Sequence, residues 1–258
     1  MIIRSFRKLL FVSTIGLILS CSSDNSTNPT EQYFPDYYPG GIGSTFKYSV
    51  NEKDSVGNLV QSGTRSILYS EMYNFRDRNY IIQYDSLDFG SQSSVSNYLF
   101  RKTDTGVFYA VDTSQISLLI PDTLKQYVTL RDEMQLLFYP LTSGSSWSLY
   151  RITAEVQPNF EIKILDIIAR FEGVEQIDLY IDSARIVFPS RKVSYTVEIF
   201  SEVGSAPETY TAYMWYVQNI GLVKFEGNQF LIDTGGGGIT IEPSPNILTQ
   251  ELIDYDIK

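Results

Sequence analysis

The sequence predicts a mainly β protein: a curved antiparallel sheet or incomplete β-barrel with at most one or two short helices. Three observations carry this. Apolar and polar residues alternate at period two in segment after segment. Nineteen tyrosines and 15 phenylalanines suit half-buried pleated surfaces better than helices. Turn residues punctuate the alternating segments.

The segments Tyr80 to Phe89, Tyr98 to Arg101, Gly106 to Asp112 and Tyr210 to Val217 are rich in β-branched and aromatic residues. Gln176 to Asp182 puts Ile177, Leu179 and Ile181 on one face, and Lys192 to Ile199 alternates in the same way. Asp104-Thr105-Gly106 and Asn219-Ile220-Gly221 are turn sequences. One segment departs from the pattern. Leu124, Tyr127, Val128, Met134, Leu137 and Phe138 are near helical spacing behind Pro121, which predicts a helix within 122–138, with 136–139 already turning to strand. Gly235 to Gly238 reads as a flexible joint, followed by one edge strand at 239–242. Pro243 and Pro245 limit central pairing, so the last dozen residues read as a loosely held tail.

The N-terminus supplies an address. Arg4, Arg7 and Lys8 precede an apolar stretch, Leu9 to Leu19. Eleven residues are too few for a bilayer-spanning helix, which needs about 20. A basic start, a short apolar segment and small residues make an export signal. Ile18-Leu19-Ser20-Cys21 fits the bacterial lipobox, and Cys21 is the only cysteine. A thiol is the nucleophile that accepts a diacylglyceryl group, and a small residue before it admits the signal peptidase. The alternative is a plain secretory signal followed by a free thiol. With acylation, Cys21 becomes the first residue of the mature chain, and buried methylenes contributing about 0.8 kcal/mol each hold it in the membrane. Ser22 to Glu31 is a polar tether without periodicity, spanning roughly 17 Å on average. Ser22 carries no clear inner-membrane retention signal, which points to the outer membrane, in either leaflet.

The chain is therefore divided into a cleaved signal peptide (1–20), a tether (21–32), a single β domain (33–234) and a C-terminal tail (235–258). The whole chain carries a formal charge of −10. Loss of residues 1–20 removes three basic residues and no acidic one, leaving 17 basic and 30 acidic, or −13. This excess argues against nucleic acid, whose phosphates need basic partners.

The sequence also repeats itself. Tyr38-Pro39, Gly43-Ser44 and Phe46 recur as Tyr139-Pro140, Gly144-Ser145 and Trp147. Phe100 stands six before Gly106, as Trp215 stands six before Gly221. Duplication of a β-meander explains both; shared turn chemistry is the alternative. On these motifs the chain resembles a group of uncharacterised bacterial lipoproteins. Their folded part opens with Tyr-[Phe/Tyr]-Pro-Leu-x-x-Gly-x-x-Trp-x-Tyr and closes with Trp-Tyr-x-x-x-x-Gly-Leu-Val-Lys. Here the closing motif is Trp215-Tyr216, then Gly221-Leu222-Val223-Lys224, and Phe138-Tyr139-Pro140-Leu141, Gly144 and Trp147 copy the opening. The resemblance covers residues 33 to 234. It implies a curved sheet similar in outline to the envelope lipoprotein carriers LolA and LolB, and it brings no catalytic residues.

The chemistry is bounded by what is missing. There is no histidine, which removes Ser-His-Asp and Cys-His arrangements and histidine-ligated zinc. Ser44-Thr45-Phe46-Lys47 matches Ser-x-x-Lys by letter, but on a strand residues three apart face opposite ways. Asp85 with Asp88, Asp178 with Asp182, and Glu172 with Glu175 are the closest carboxylate sets, with solvated strand faces as their simplest explanation. Trp147, Trp215, Tyr213 and Tyr216 are candidates to line a pocket for a lipid or sugar, or to fill the concave core. The expectation is a non-enzymatic, lipid-anchored envelope protein, with no cofactor and no metal. It is attached to the membrane through Cys21 and binds an apolar ligand, a glycan or an envelope protein. A carboxylate-based glycan hydrolase and a structural subunit of a surface assembly are the alternatives.

Overall fold

A computed structural model of the chain describes residues 36–258, apart from 118–119, 159, 201–205 and 229–245. The predicted signal peptide, Cys21, the predicted tether, the glycine run and the predicted edge strand at 239–242 lie outside the described residues. Twelve strands form one antiparallel sheet. They are β1 (Thr45–Lys53), β2 (Leu59–Phe75), β3 (Arg78–Asp88), β4 (Ser93–Thr103), β5 (Gly106–Ala110) and β6 (Glu133–Phe138) in the first half. The second half holds β7 (Ser146–Gln157), β8 (Phe160–Ile181), β9 (Ala184–Ile199), β10 (Glu208–Val217), β11 (Gly221–Asn228) and β12 (Ile247–Asp256). The order is β6-β5-β4-β3-β2-β1-β12-β11-β10-β9-β8-β7, and the sheet curls until it nearly closes into a barrel. Period two builds it: Phe46, Tyr48 and Val50 on β1 and Leu248 and Leu252 on β12 point inward and are buried. Each such side chain contributes about 1.5–3 kcal/mol by leaving water. Among the described residues, no helix is long and apolar enough to cross a membrane.

Two expectations are corrected here. The predicted helix within 122–138 is a 3-10 turn at Lys125–Tyr127 followed by β6. Met134 and Leu136 alternate into the core beside β5, so strand pairing overrides a spacing that reads as helical in isolation. The predicted loose tail is β12, which pairs with β1 along its whole length and with β11 on the other side. It is the strand that joins the two halves.

The motif repeat has a partial structural counterpart. Gly43 (φ 93°) and Gly144 (φ 83°) both turn the chain into a first strand. Ser44 O accepts from Tyr69 N, and Ser145 O accepts from Phe171 N, each at 2.9 Å. The second pair is not equivalent: Phe100 packs inward against Tyr69, while Trp215 lies on the outer face opposite Lys224.

The seam between β6 and β7 is closed chiefly by side chains. Trp147 Nε1 donates to Gln135 O (3.0 Å), Tyr150 OH to Arg131 O (2.8 Å) and Tyr195 OH to Leu136 O (3.2 Å). Val128 and Ala154 add an isolated backbone bridge. These donors cover carbonyls that an open edge would leave available for pairing. Burial pushes the Tyr150 phenol up to about 12, so it stays protonated and keeps donating.

The β8–β9 hairpin outruns its neighbours. At the bulge between Phe171 and Gly173 it bends, with Gly173 at φ 138°. Beyond it, Glu175 accepts from Trp215 Nε1 on the outer face of β10 (2.8 Å), and Asp182 N donates to Ile253 O on β12 (3.1 Å). The hairpin therefore straps the outside of the sheet, which is why Trp215 is only 5% exposed.

Candidate functional site

The barrel interior holds a polar chain of six buried or nearly buried residues drawn from five parts of the fold. Arg65 on β2 grips Asp85 on β3 through Nε at 2.8 Å and through Nη2. Its Nη1 donates to Gln250 Oε1 on β12 at 3.0 Å. Gln83 Nε2 donates to Asp85 Oδ2 (3.4 Å), and Tyr109 OH from β5 donates to Gln83 Oε1 (2.8 Å). Tyr38, from the segment before β1, completes the chain through hydrogen bonds to Tyr109 OH and Gln83. Arg65, Gln83, Asp85 and Gln250 are each 6% exposed or less.

Each link has a physical reason. Burial works against a charged guanidinium, but the adjacent Asp85 carboxylate outweighs it and holds Arg65 above its ordinary range. Burial likewise pushes the Tyr38 and Tyr109 phenols up, so both remain neutral donors. A twelve-stranded barrel is wider than the eight-stranded kind that strand side chains alone can fill. Tyr38 makes up the difference from outside the sheet, its ring centre 5.4 Å from Phe100 and 6.2 Å from Tyr69.

What space remains is small. The interior cavity is about 60 Å³ and is lined by Tyr38, Tyr48, Arg65, Tyr109 and Tyr216 among others. It has room for a few water molecules, each needing about 10–15 Å³ of such space. Sites for small organic ligands run to about 300–1,000 Å³. Larger concavities lie outside. One of 420 Å³ runs over β1 to β4, with Leu68, Tyr84 and Val95 in its walls. Another of 330 Å³ crosses β11, β12 and β1, with Lys224, Glu226, Thr249 and Glu251.

Of the four predicted aromatics, Tyr216 alone lines the cavity, bonded to Tyr195 OH at 3.0 Å. Trp147 stands at the seam against Phe138. Tyr213 and Trp215 share the outer face of β10, with Lys192 Nζ 4.8 and 4.9 Å from their ring centres. Cys21 lies outside the described residues. Of the carboxylate sets, Asp85 is buried on Arg65 while Asp88 is exposed, Asp178 is paired with Arg185, and Glu175 is bonded to Lys192 and Trp215 while Glu172 takes Ser194 Oγ. Among the described residues no group of three or more potential ligands could hold a metal. Arg65, Gln83 and Gln250 were missed as site residues because each interrupts an apolar inward face, which in a sequence looks like a weaker strand.

A second polar cluster lies on the outer face. Glu133 takes Arg78 Nη1 at 2.8 Å and Tyr80 OH at 2.6 Å, and it is also bonded to Arg101. Burial alone would raise its carboxyl, but Arg101, Tyr80 and Arg78 outweigh this and hold it below the usual range. A depressed carboxyl contributes stability that is present above its unfolded value, about 4.3, and is lost as pH falls through the folded one. Glu133→Gln is expected to cost about 1–3 kcal/mol at pH 7 and to flatten the acid-side fall in stability. Urea unfolding at pH 7 and pH 3 measures this; an unchanged acid slope contradicts it.

No family model matches the chain, and no curated protein matches it. Solved structures do. A "putative lipoprotein" from Parabacteroides distasonis is 16% identical, with a TM-score of 0.47 over 87% of this chain and 100% of that one. A "putative exported protein with YmcC-like fold" from Bacteroides fragilis is 14% identical, with a TM-score of 0.45 over 86% and 99%. The "hypothetical lipoprotein YmcC" from Escherichia coli is 12% identical, with a TM-score of 0.29 over 82% and 83%.

Proposed function

We propose that this chain is a lipid-anchored lipoprotein of the bacterial outer membrane whose β-barrel is not catalytic and meets a glycan or protein partner on its outer surface. The anchor is supported by Ile18-Leu19-Ser20-Cys21 behind a basic, apolar leader. The observation that carries the binding mode is the interior: about 60 Å³ around a buried ion pair. Phe46, Ile67, Leu136 and Met214 give it apolar walls, but an acyl chain would not find the volume there, so the apolar-ligand version gives way to surface binding. A non-catalytic role is supported by the absence of histidine from the sequence and by the ion pairs that tie up Asp85 and Asp178.

One observation favours a second reading. Glu226 and Glu251 line the same 330 Å³ groove, as a carboxylate glycan hydrolase requires. Against it, both lean on Lys224, and the neighbouring Trp215 is covered rather than open to a sugar. Two measurements test the proposal. Lipid extraction of the purified protein should yield acyl chains bound covalently and none bound reversibly; a stoichiometric, extractable lipid overturns it. Hydrolysis of envelope glycans that is abolished by Glu226→Gln or Glu251→Gln would establish the second reading instead.

A further inference from the structure

We propose that the barrel end holding Asp36 lies on the bilayer, with the tip of the β2–β3 hairpin seated in the interfacial layer. This rests on the lipid anchor proposed above. Glu71, Met72, Tyr73 and Asn74 are all exposed. Neighbouring residues on a strand point to opposite faces, so four exposed in succession mean that neither face is covered. The β2 arm is bare beyond the irregularity after Tyr69, while Tyr80 on the β3 arm stays buried and bonded to Glu133, which holds the hairpin to the barrel.

Its composition is that of an interfacial element. Met72 is 54% and Tyr73 48% exposed, Phe75 stacks near Tyr73, and the Arg76 guanidinium sits 5.0 Å from the Phe75 ring centre. Arg76 and Arg78 both reach Asp132, at 3.6 and 3.3 Å, and leave much of their side chains exposed. Aromatic rings with arginines suit the boundary between headgroups and acyl chains, where ring and guanidinium each find a matching layer.

Position selects the bilayer as the occupant. Pairing of Ile81 with Phe100 carries this hairpin down beside the β4–β5 turn. Next to that turn, Lys102 Nζ holds Asp36 Oδ2 at 2.9 Å. From Asp36 the sequence runs 15 residues back to Cys21, and a random coil of that length has a root-mean-square span of about 20 Å. The opposite end of the barrel lies about 30 Å further along β1. It has its own exposed apolar residue, Val56, 79% exposed in the β1–β2 turn. Apolar exposure alone would not separate the two ends; the tether does.

The acylated mature protein, carrying Met72→Cys or Val56→Cys labelled with a polarity-sensitive fluorophore, is reconstituted into phosphatidylethanolamine and phosphatidylglycerol vesicles. Flotation reports the anchor. Emission at position 72 is expected to shift to the blue and to be quenched by lipid-borne spin labels, while position 56 keeps its aqueous spectrum and escapes quenching. Protein that floats with position 72 still aqueous overturns this inference and leaves the anchor standing; that is the result if the tip serves a protein partner. Equal quenching at both positions also overturns it. Protein that does not float overturns both.

Discussion

Asp85→Ala lowers the unfolding free energy by about 3–5 kcal/mol, because it leaves the Arg65 guanidinium buried without its counter-charge. Domains of ordinary stability hold about 5–15 kcal/mol in total, so this one side chain decides whether the chain stays folded at elevated temperature. The pair Arg65→Met with Asp85→Leu should cost much less than either single change, since no uncompensated charge remains. A double-mutant cycle from urea unfolding measures the difference as a coupling energy. Additive single costs would mean that the pair is solvated, contrary to side-chain exposures of 7% and 6%.

Truncation after residue 246 is expected to abolish cooperative folding. It removes β12, leaving β1 and β11 without their shared partner, and takes away buried Leu248, Gln250 and Leu252 together. The milder Leu252→Ala should cost about 2–5 kcal/mol by opening a cavity against the core. Circular dichroism and thermal melting distinguish the outcomes. A truncated chain that melts cooperatively at an unchanged temperature would contradict the topology.

These two sites mark where the sequence is legible and where it is not. The fold class follows from alternation that any half-buried sheet imposes, and Leu179 and Ile181 are buried where period two places them. β12 is hidden for a specific reason. Its inward positions read Leu248, Gln250, Leu252, and the glutamine breaks the apolar face because it must meet Arg65. Arg65 and Asp85 interrupt β2 and β3 in the same way. The partners stand 20 and 185 residues from Arg65, so no local window contains the reason for any of them. The misread segment at 122–138 fails differently. Its residues fit either period, and only the free edge of β5 settles which one is used.

The aromatics show a third kind of limit. Composition indicates many rings at the sheet surfaces, and period two sorts them into two sets without saying which set faces inward. On β10 Met214 and Tyr216 line the cavity, while Tyr213 and Trp215 share the outer face, Trp215 beneath the β8–β9 strap. Tyr38 is invisible to strand reasoning because it enters the barrel from a segment with no strand of its own.

We propose a filled barrel held to a membrane through one sulfur. The most direct measurement is mass spectrometry of the N-terminal peptide of the protein purified from cell envelopes. The expected peptide begins at Cys21 and carries a thioether-linked diacylglyceryl group. A peptide that retains residues before Cys21, or one that ends in a free thiol, would contradict it.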